Sequence, residues 1–112
     1  MVYDPVLADE IRSVLGDDPE LTLTERRMFG GLSFLINGNL AVAVHGSDGI
    51  LVRVGADAAE ELAGTTAATR AVMGARVMKG WLEVGAEHLG VESELSVWVR
   101  RGVDYARSLP PK

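Results

Sequence analysis

RRMFGGLSFLINGNLAVAV, residues Arg26–Val44, combines a glycine pair, an Asn-Gly turn signal and the densest apolar alternation in the chain. Asn37 and Gly38 stand between two stretches of β-formers, and a two-residue loop of this composition suits a type I′ turn, whose central residues both need positive φ. The pattern predicts a hairpin in which Ile36 faces Asn39, Leu35 faces Leu40, Phe34 faces Ala41, Ser33 faces Val42 and Leu32 faces Ala43. Side chains alternate along a strand, so Leu32, Phe34, Ile36, Ala41 and Ala43 fall on one face and Leu35, Leu40, Val42 and Val44 on the other. A half-solvated sheet would carry polar residues on one side. This ribbon is apolar on both, and is expected to be covered by helices on one face and by a further helix, a loop or a second subunit on the other.

Gly30 and Gly31 interrupt the β-pattern between Phe29 and Leu32. An interior glycine pair marks a bend or bulge. The alternative is a nest of backbone amides that cradles an anion, although phosphate-binding glycine loops lead from a strand into a helix and here β-pattern resumes at once. Just before them, Leu21–Phe29 reads as a strand carrying Arg26 and Arg27. Neighbouring strand residues point to opposite faces, so the two arginines do not make one basic patch. They are expected as solvated edge charges or as partners of a carboxylate such as Glu25 or Glu83, with an anion contact as the functional alternative.

Outward from this centre, Asp4 reads as an N-cap and Pro5 as the first residue of a helix with Val6, Leu7, Ile11, Val14 and Leu15 on one stripe, closed by Gly16. Asp17–Glu20 and His45–Gly49 read as turns, and Ile50–Val54 as the returning strand, with Ile50, Val52 and Val54 facing away from Leu51 and Arg53. Arg53 is the outlier in that apolar run and is expected to snorkel to the sheet edge or to meet a carboxylate. Asp57 and Glu60 fit a capping box for a short helix over Ala58–Ala63 that Gly64 ends. Thr65–Ala75 is rich in small residues and Thr; it reads as the most mobile loop, with a weak helical turn over Ala67–Met73 as the alternative. Trp81–Val84 is a strand near a sheet edge. The last helix is the clearest, with Leu95, Trp98, Val99, Gly102, Ala106 and Leu109 recurring at three and four, and Pro110 and Pro111 stopping it. Gly102 on that stripe predicts close approach of the helix to the sheet.

The chain of 112 residues carries 11 basic and 16 acidic groups, a net charge of −5, which repels phosphate backbones and argues against nucleic acid as a direct partner. It holds no cysteine, which removes disulfides, thiolate zinc sites and cysteine nucleophiles and suits a reducing cytoplasm. No apolar run approaches the length of a membrane span, and no signal-like N-terminus is present. His45 and His88 have no partners at metal-ligand spacing and are expected as surface groups. Ser33 and Ser47 lack the context of an activated nucleophile. Arg100, Arg101 and Arg107 could form a basic stripe on the last helix, and Trp81 and Trp98 a stacking platform, but periodicity places both tryptophans in the core.

The run RRMFGG, the LSFLINGNLAVAV hairpin, ILVRVG at Ile50–Gly55, MKGWLEV at Met78–Val84 and the closing ELSVWVRRGVDYARSLP together resemble the N-terminal domain of the TfoX/Sxy family of bacterial competence regulators. The resemblance runs from about Tyr3 to Pro110, and MFGG followed by a glycine-turned hairpin is its most specific part. It implies a regulator of natural competence that assists transcription together with a cyclic-AMP receptor protein. In two-domain members a helix-hairpin-helix domain follows, whereas this sequence ends at Lys112 and reads as a stand-alone copy of the first domain, spanning 1–112, without direct DNA contact.

The expected fold is therefore α+β, an antiparallel sheet of about five strands flanked by N-terminal and C-terminal helices. The expected function is a cytoplasmic, non-enzymatic regulatory or protein-interaction module, self-associating as a homodimer and working with a protein partner in transcription, with no cofactor, metal or catalytic residue. The alternative is an accessory enzyme or nucleic-acid-related protein, for example one linked to RNA methylation. Candidate anion or partner contacts are Arg26, Arg27, Gly30, Gly31 and Arg53.

Overall fold

A computed structural model describes residues 5–16, 22–28, 31–45, 49–66, 68–73, 76–90 and 92–110. Helix α1 (Pro5–Leu15) precedes strands β1 (Leu23–Met28), β2 (Gly31–Ile36), β3 (Asn39–His45) and β4 (Gly49–Arg53). Helix α2 (Ala56–Thr65), strands β5 (Thr69–Met73) and β6 (Arg76–Gly85), a 3-10 turn at Ala86–His88 and helix α3 (Glu92–Ser108) complete the order. The fold is α+β, and the strands form one antiparallel sheet in the order β1-β2-β3-β4-β6-β5. The sheet has six strands rather than about five.

The Asn-Gly turn forms as its chemistry requires, with φ of 54° at Asn37 and 83° at Gly38. The expected register holds for Ile36–Asn39 and Leu35–Leu40 and then slips, so that Phe34 pairs with Val42, Ser33 with Ala43 and Leu32 with Val44. Ala41 is the extra residue of a bulge. Because strand side chains have period two, one inserted residue exchanges the faces beyond it. Val42 and Val44, expected opposite Phe34, join Phe34 and Leu32 beneath the helices, while Ala43 turns to the far side. The exchange puts the bulkier β-branched pair where helices cover it.

All three helices contribute to one core with the sheet: Leu7, Ala8 and Ile11 of α1, Ala59 of α2, and Leu95, Trp98, Val99, Val103 and Ala106 of α3 pack with Phe34, Val42, Val52 and Leu82. At the bulge α3 comes closest, since a Cβ on Gly102 would sit 2.5 Å from the Ala41 carbonyl oxygen. This is the close approach the helical stripe predicted. Asn39 fastens the same helix, its buried Nδ2 donating to the carbonyls of Ala106 and Pro110 at 3.5 and 3.0 Å and satisfying acceptors that a helix C-terminus leaves open.

On the far face, among the described residues, Ala43, Leu51 and Ala71 form a second cluster with Met78 and Trp81 packed against it. Ser33, Leu35 and Leu40 are buried as well. Both faces of the β2–β3 hairpin are thus covered within one chain, and the second copy invoked to cover one of them is not required for burial.

At the remaining elements, Gly16 ends α1 at φ 62° with its N–H on the Arg12 carbonyl, as expected, whereas Val6 proves exposed. Asp4 and Asp17–Glu20 lie outside the described residues, as do 46–48 of the expected turn. Helix α2 is capped by Gly55 at φ 90° with no side-chain cap, so the Asp57–Glu60 capping box does not form; Asp57 instead lies in the first turn, at the positive end of the helix dipole. Gly64 lies inside α2, which ends at Thr65 with the Thr66 N–H and hydroxyl both on the Leu62 carbonyl. The stretch expected as a mobile loop holds β5, and β6 runs ten residues rather than four. The strands were hidden because β6 kinks at Gly80, where φ is 86°, and the pairing shifts between Arg70–Leu82 and Val72–Val77, which breaks the alternation on both sides. No helix among the described residues is long and apolar enough to cross a membrane.

Candidate functional site

The kink in β6 divides the sheet. From Trp81 to Gly85, β6 pairs with β4 as well as β5; before Gly80 it pairs only with β5, and the two strands form a short arm beside α2. The Gly80 carbonyl accepts the N–H groups of Val54 and Gly55 at 2.9 and 3.1 Å, which ties the arm to the end of β4 and to the start of α2. Gly55 is required there, since a Cβ would press on the Tyr105 ring at 2.7 Å.

Arg53 sits at this junction. It pairs in register with Trp81, and its guanidinium lies 5.9 Å from the Trp81 ring centre and 5.4 Å from that of Tyr105 on α3. A guanidinium between aromatic rings is held by their electron-rich faces, which accounts for an arginine in an apolar strand. No carboxylate among the described residues forms an ion pair with it. Arg53 is therefore a half-buried fastener between β4, β6 and α3.

The arm carries an unusual surface. Val72 and Val77 face one another across it and are 53% and 52% exposed. Arg76 and Lys79 are exposed beside them, and Met78 and Trp81 are half-buried. On the helix side a groove of about 250 Å³ runs between α2 and the arm, bounded by Glu60, Arg70, Val77 and Lys79. An adjoining concavity shares Val77, Met78, Lys79 and Trp81 with this groove and adds Arg76, with no carboxylate in its wall. Arg70 reaches back to Glu60 of α2 at 3.0 Å.

The other expected contacts lie elsewhere. Arg26 and Arg27 are exposed on β1, three strands from β4, in register with Ser33 and Leu32 and so on opposite faces. Glu25 is engaged by Arg12 of α1 through two hydrogen bonds of 2.8 and 2.7 Å, and is not a partner for either arginine. Those bonds hold the Glu25 carboxyl below its ordinary range and raise Arg12 further, against the opposing effect of desolvation. Gly31 is buried at the start of β2, opposite Met28 and His45, and Gly30 lies outside the described residues. The structure does not bring Arg26, Arg27, Gly31 and Arg53 into one site.

Among the remaining candidates, Trp98 is core beneath the helices with Arg101 4.5 Å above its ring, and Trp81 packs on the far face, so the two tryptophans form no common platform. His88 is exposed beside Glu87 at 3.6 Å. Among the described residues no group of three or more His, Asp or Glu converges as a metal site. The residues that sequence reasoning missed are Val72, Arg76, Val77, Met78 and Lys79. One signal was present: from Gly64 to Leu82 the sequence holds Arg70, Arg76 and Lys79 and no carboxylate, in a chain of net charge −5.

The chain matches no curated protein and no solved structure. A family sequence model described as the TfoX N-terminal domain matches residues 19–106, a span that holds all six strands, α2 and nearly all of α3. The protein accordingly belongs to the TfoX N-terminal domain family.

Proposed function

We propose that this protein is a cytoplasmic, non-enzymatic interaction module that regulates transcription through a protein partner. Membership of the TfoX N-terminal domain family supports the regulatory part. The observation that carries the interaction part is the arm beyond Gly80, which exposes Val72 and Val77 between basic side chains. Adjacent exposed apolar groups rimmed by polar ones mark interaction sites, whereas isolated ones such as Val6 are ordinary on any surface. Coverage of both hairpin faces within one chain removes the need for self-association, so the reading rests on a different protein as partner.

The test is made in the source cell. A chromosomal Val72→Glu, Val77→Glu variant, present at the wild-type level, is expected to reproduce the transcript changes caused by deleting the whole chain. Unchanged transcripts accompanied by altered RNA modification would contradict the reading and favour an accessory enzyme.

A further inference from the structure

We infer that the free edge of β5 receives an extended acidic segment of a partner protein, which adds to the sheet as a seventh strand and sets its apolar side chains against Val72 and Val77. The inference rests on the interaction-module reading and specifies the chemistry of its partner.

Three features point to this occupant. First, β5 is the last strand of the sheet, so one side of its backbone presents donors and acceptors that β6 does not use. Strand addition satisfies them, while pockets beside the edge select alternate side chains. Second, the apolar ground is ready beside that edge. Val72 and Val77 stand opposite each other and are about half exposed, while Met78 and Trp81 pack into the far-face cluster and support the arm from beneath. Third, the charge is segregated. Arg70, Arg76 and Lys79 occupy a stretch without carboxylates, and only Arg70 has an ion-pair partner among the described residues. Positive potential on one arm of a net-negative molecule attracts acidic segments and orients them on approach.

A nucleic acid fits less well. Single-strand binding needs aromatic faces for stacking and a continuous basic track. Here Trp81 packs into the far-face cluster with Arg53 near its ring, and the exposed apolar groups are aliphatic. A second copy fits less well too, because pairing β5 with itself would bring the basic residues of two arms together.

The test uses the full chain and a synthetic probe, the capped peptide Glu-Val-Glu-Val-Glu-Val, followed by amide NMR. The expected result is saturable binding with shifts confined to Thr69–Met73 and Arg76–Trp81. An Arg76→Glu, Lys79→Glu variant, altered only at exposed positions, should bind at least tenfold more weakly while its amide spectrum elsewhere is unchanged. A probe N-methylated at alternate residues keeps its charge and loses strand pairing, and should also lose binding, which needs no protein variant. Equal binding of a Lys-Val peptide, equal binding of the N-methylated probe, or a uridine oligonucleotide that displaces the probe from the arm would overturn the inference. So would a dimer paired through β5, detected by native mass spectrometry. Shifts centred on β1 would overturn it and leave the interaction-module reading standing, whereas no binding to any part of the chain counts against the inference, and transcripts unchanged in the cell count against that reading.

Discussion

The sheet ends in two edges that are built in opposite ways. At one, β1 places Glu25, Arg26 and Arg27 in succession, all exposed, and Glu25 is clamped to α1 by Arg12. Consecutive charges are a common device for blunting an edge, because a pairing strand would have to desolvate them. At the other, β5 carries Arg70, which is paired with Glu60, and continues into an arm whose exposed residues include an aliphatic pair with Arg76 and Lys79 beside it. One edge carries consecutive charges and an ion pair to α1; the other is mounted on a glycine kink and presented. The same sheet thus protects itself on one side and offers an edge on the other.

The mounting is where the difference breaks most easily. Gly80→Val forces a branched side chain into positive φ and against the backbone of Gly55 and Ala56 at 3.3 Å, and should cost about 1–3 kcal/mol. Hydrogen exchange should show the arm amides losing protection first, with β1–β2 amides following only through the global loss of stability.

The clamp on β1 is the next test. Arg12 and Glu25 are both substantially exposed, so solvent screening limits the pair to about 1 kcal/mol or less. Because the folded-state Glu25 carboxyl is lowered, this contribution is complete above the ordinary glutamate range and is lost as pH falls through the lower folded value. Glu25→Gln should reduce stability near neutrality, and the difference from wild type should shrink on acidification, as read by urea unfolding at a series of pH values.

The smallest effect on stability and the sharpest on behaviour is expected from Arg26→Val with Arg27→Val. Both side chains are exposed, so stability should stay within about 0.5 kcal/mol of wild type. Light scattering should nevertheless rise with concentration, since the blunting charges are gone. If it does not, charge is not what closes this edge.

Much of the central sheet was legible in the sequence, and the reasons are local. Asn37-Gly38 fixes its turn by backbone sterics, and the three-and-four spacing of Leu95, Trp98, Val99, Gly102 and Ala106 fixes the buried stripe of α3. The bulge at Ala41 was not legible, because its advantage lies in where Val42 and Val44 land relative to α3, a tertiary preference that no hairpin pattern encodes. Nor was the arm: Gly80 resets the faces midway through β6, and β5 is too short and too rich in small residues to show period two. For the site, the apolar run around it singles out Arg53 but does not reveal its role. Its rings come from Trp81 and Tyr105, distant in sequence and joined only by the fold. The informative feature was collective, a carboxylate-free stretch in an acidic chain.

The most direct measurement places a photo-crosslinking amino acid at Val72 on the arm and, separately, at Arg26 on β1, with irradiation in the source cell. A presented β5 edge and a closed β1 edge predict one discrete protein adduct from position 72 and none from position 26. An adduct from position 26 with none from position 72 would contradict the assignment of the two edges.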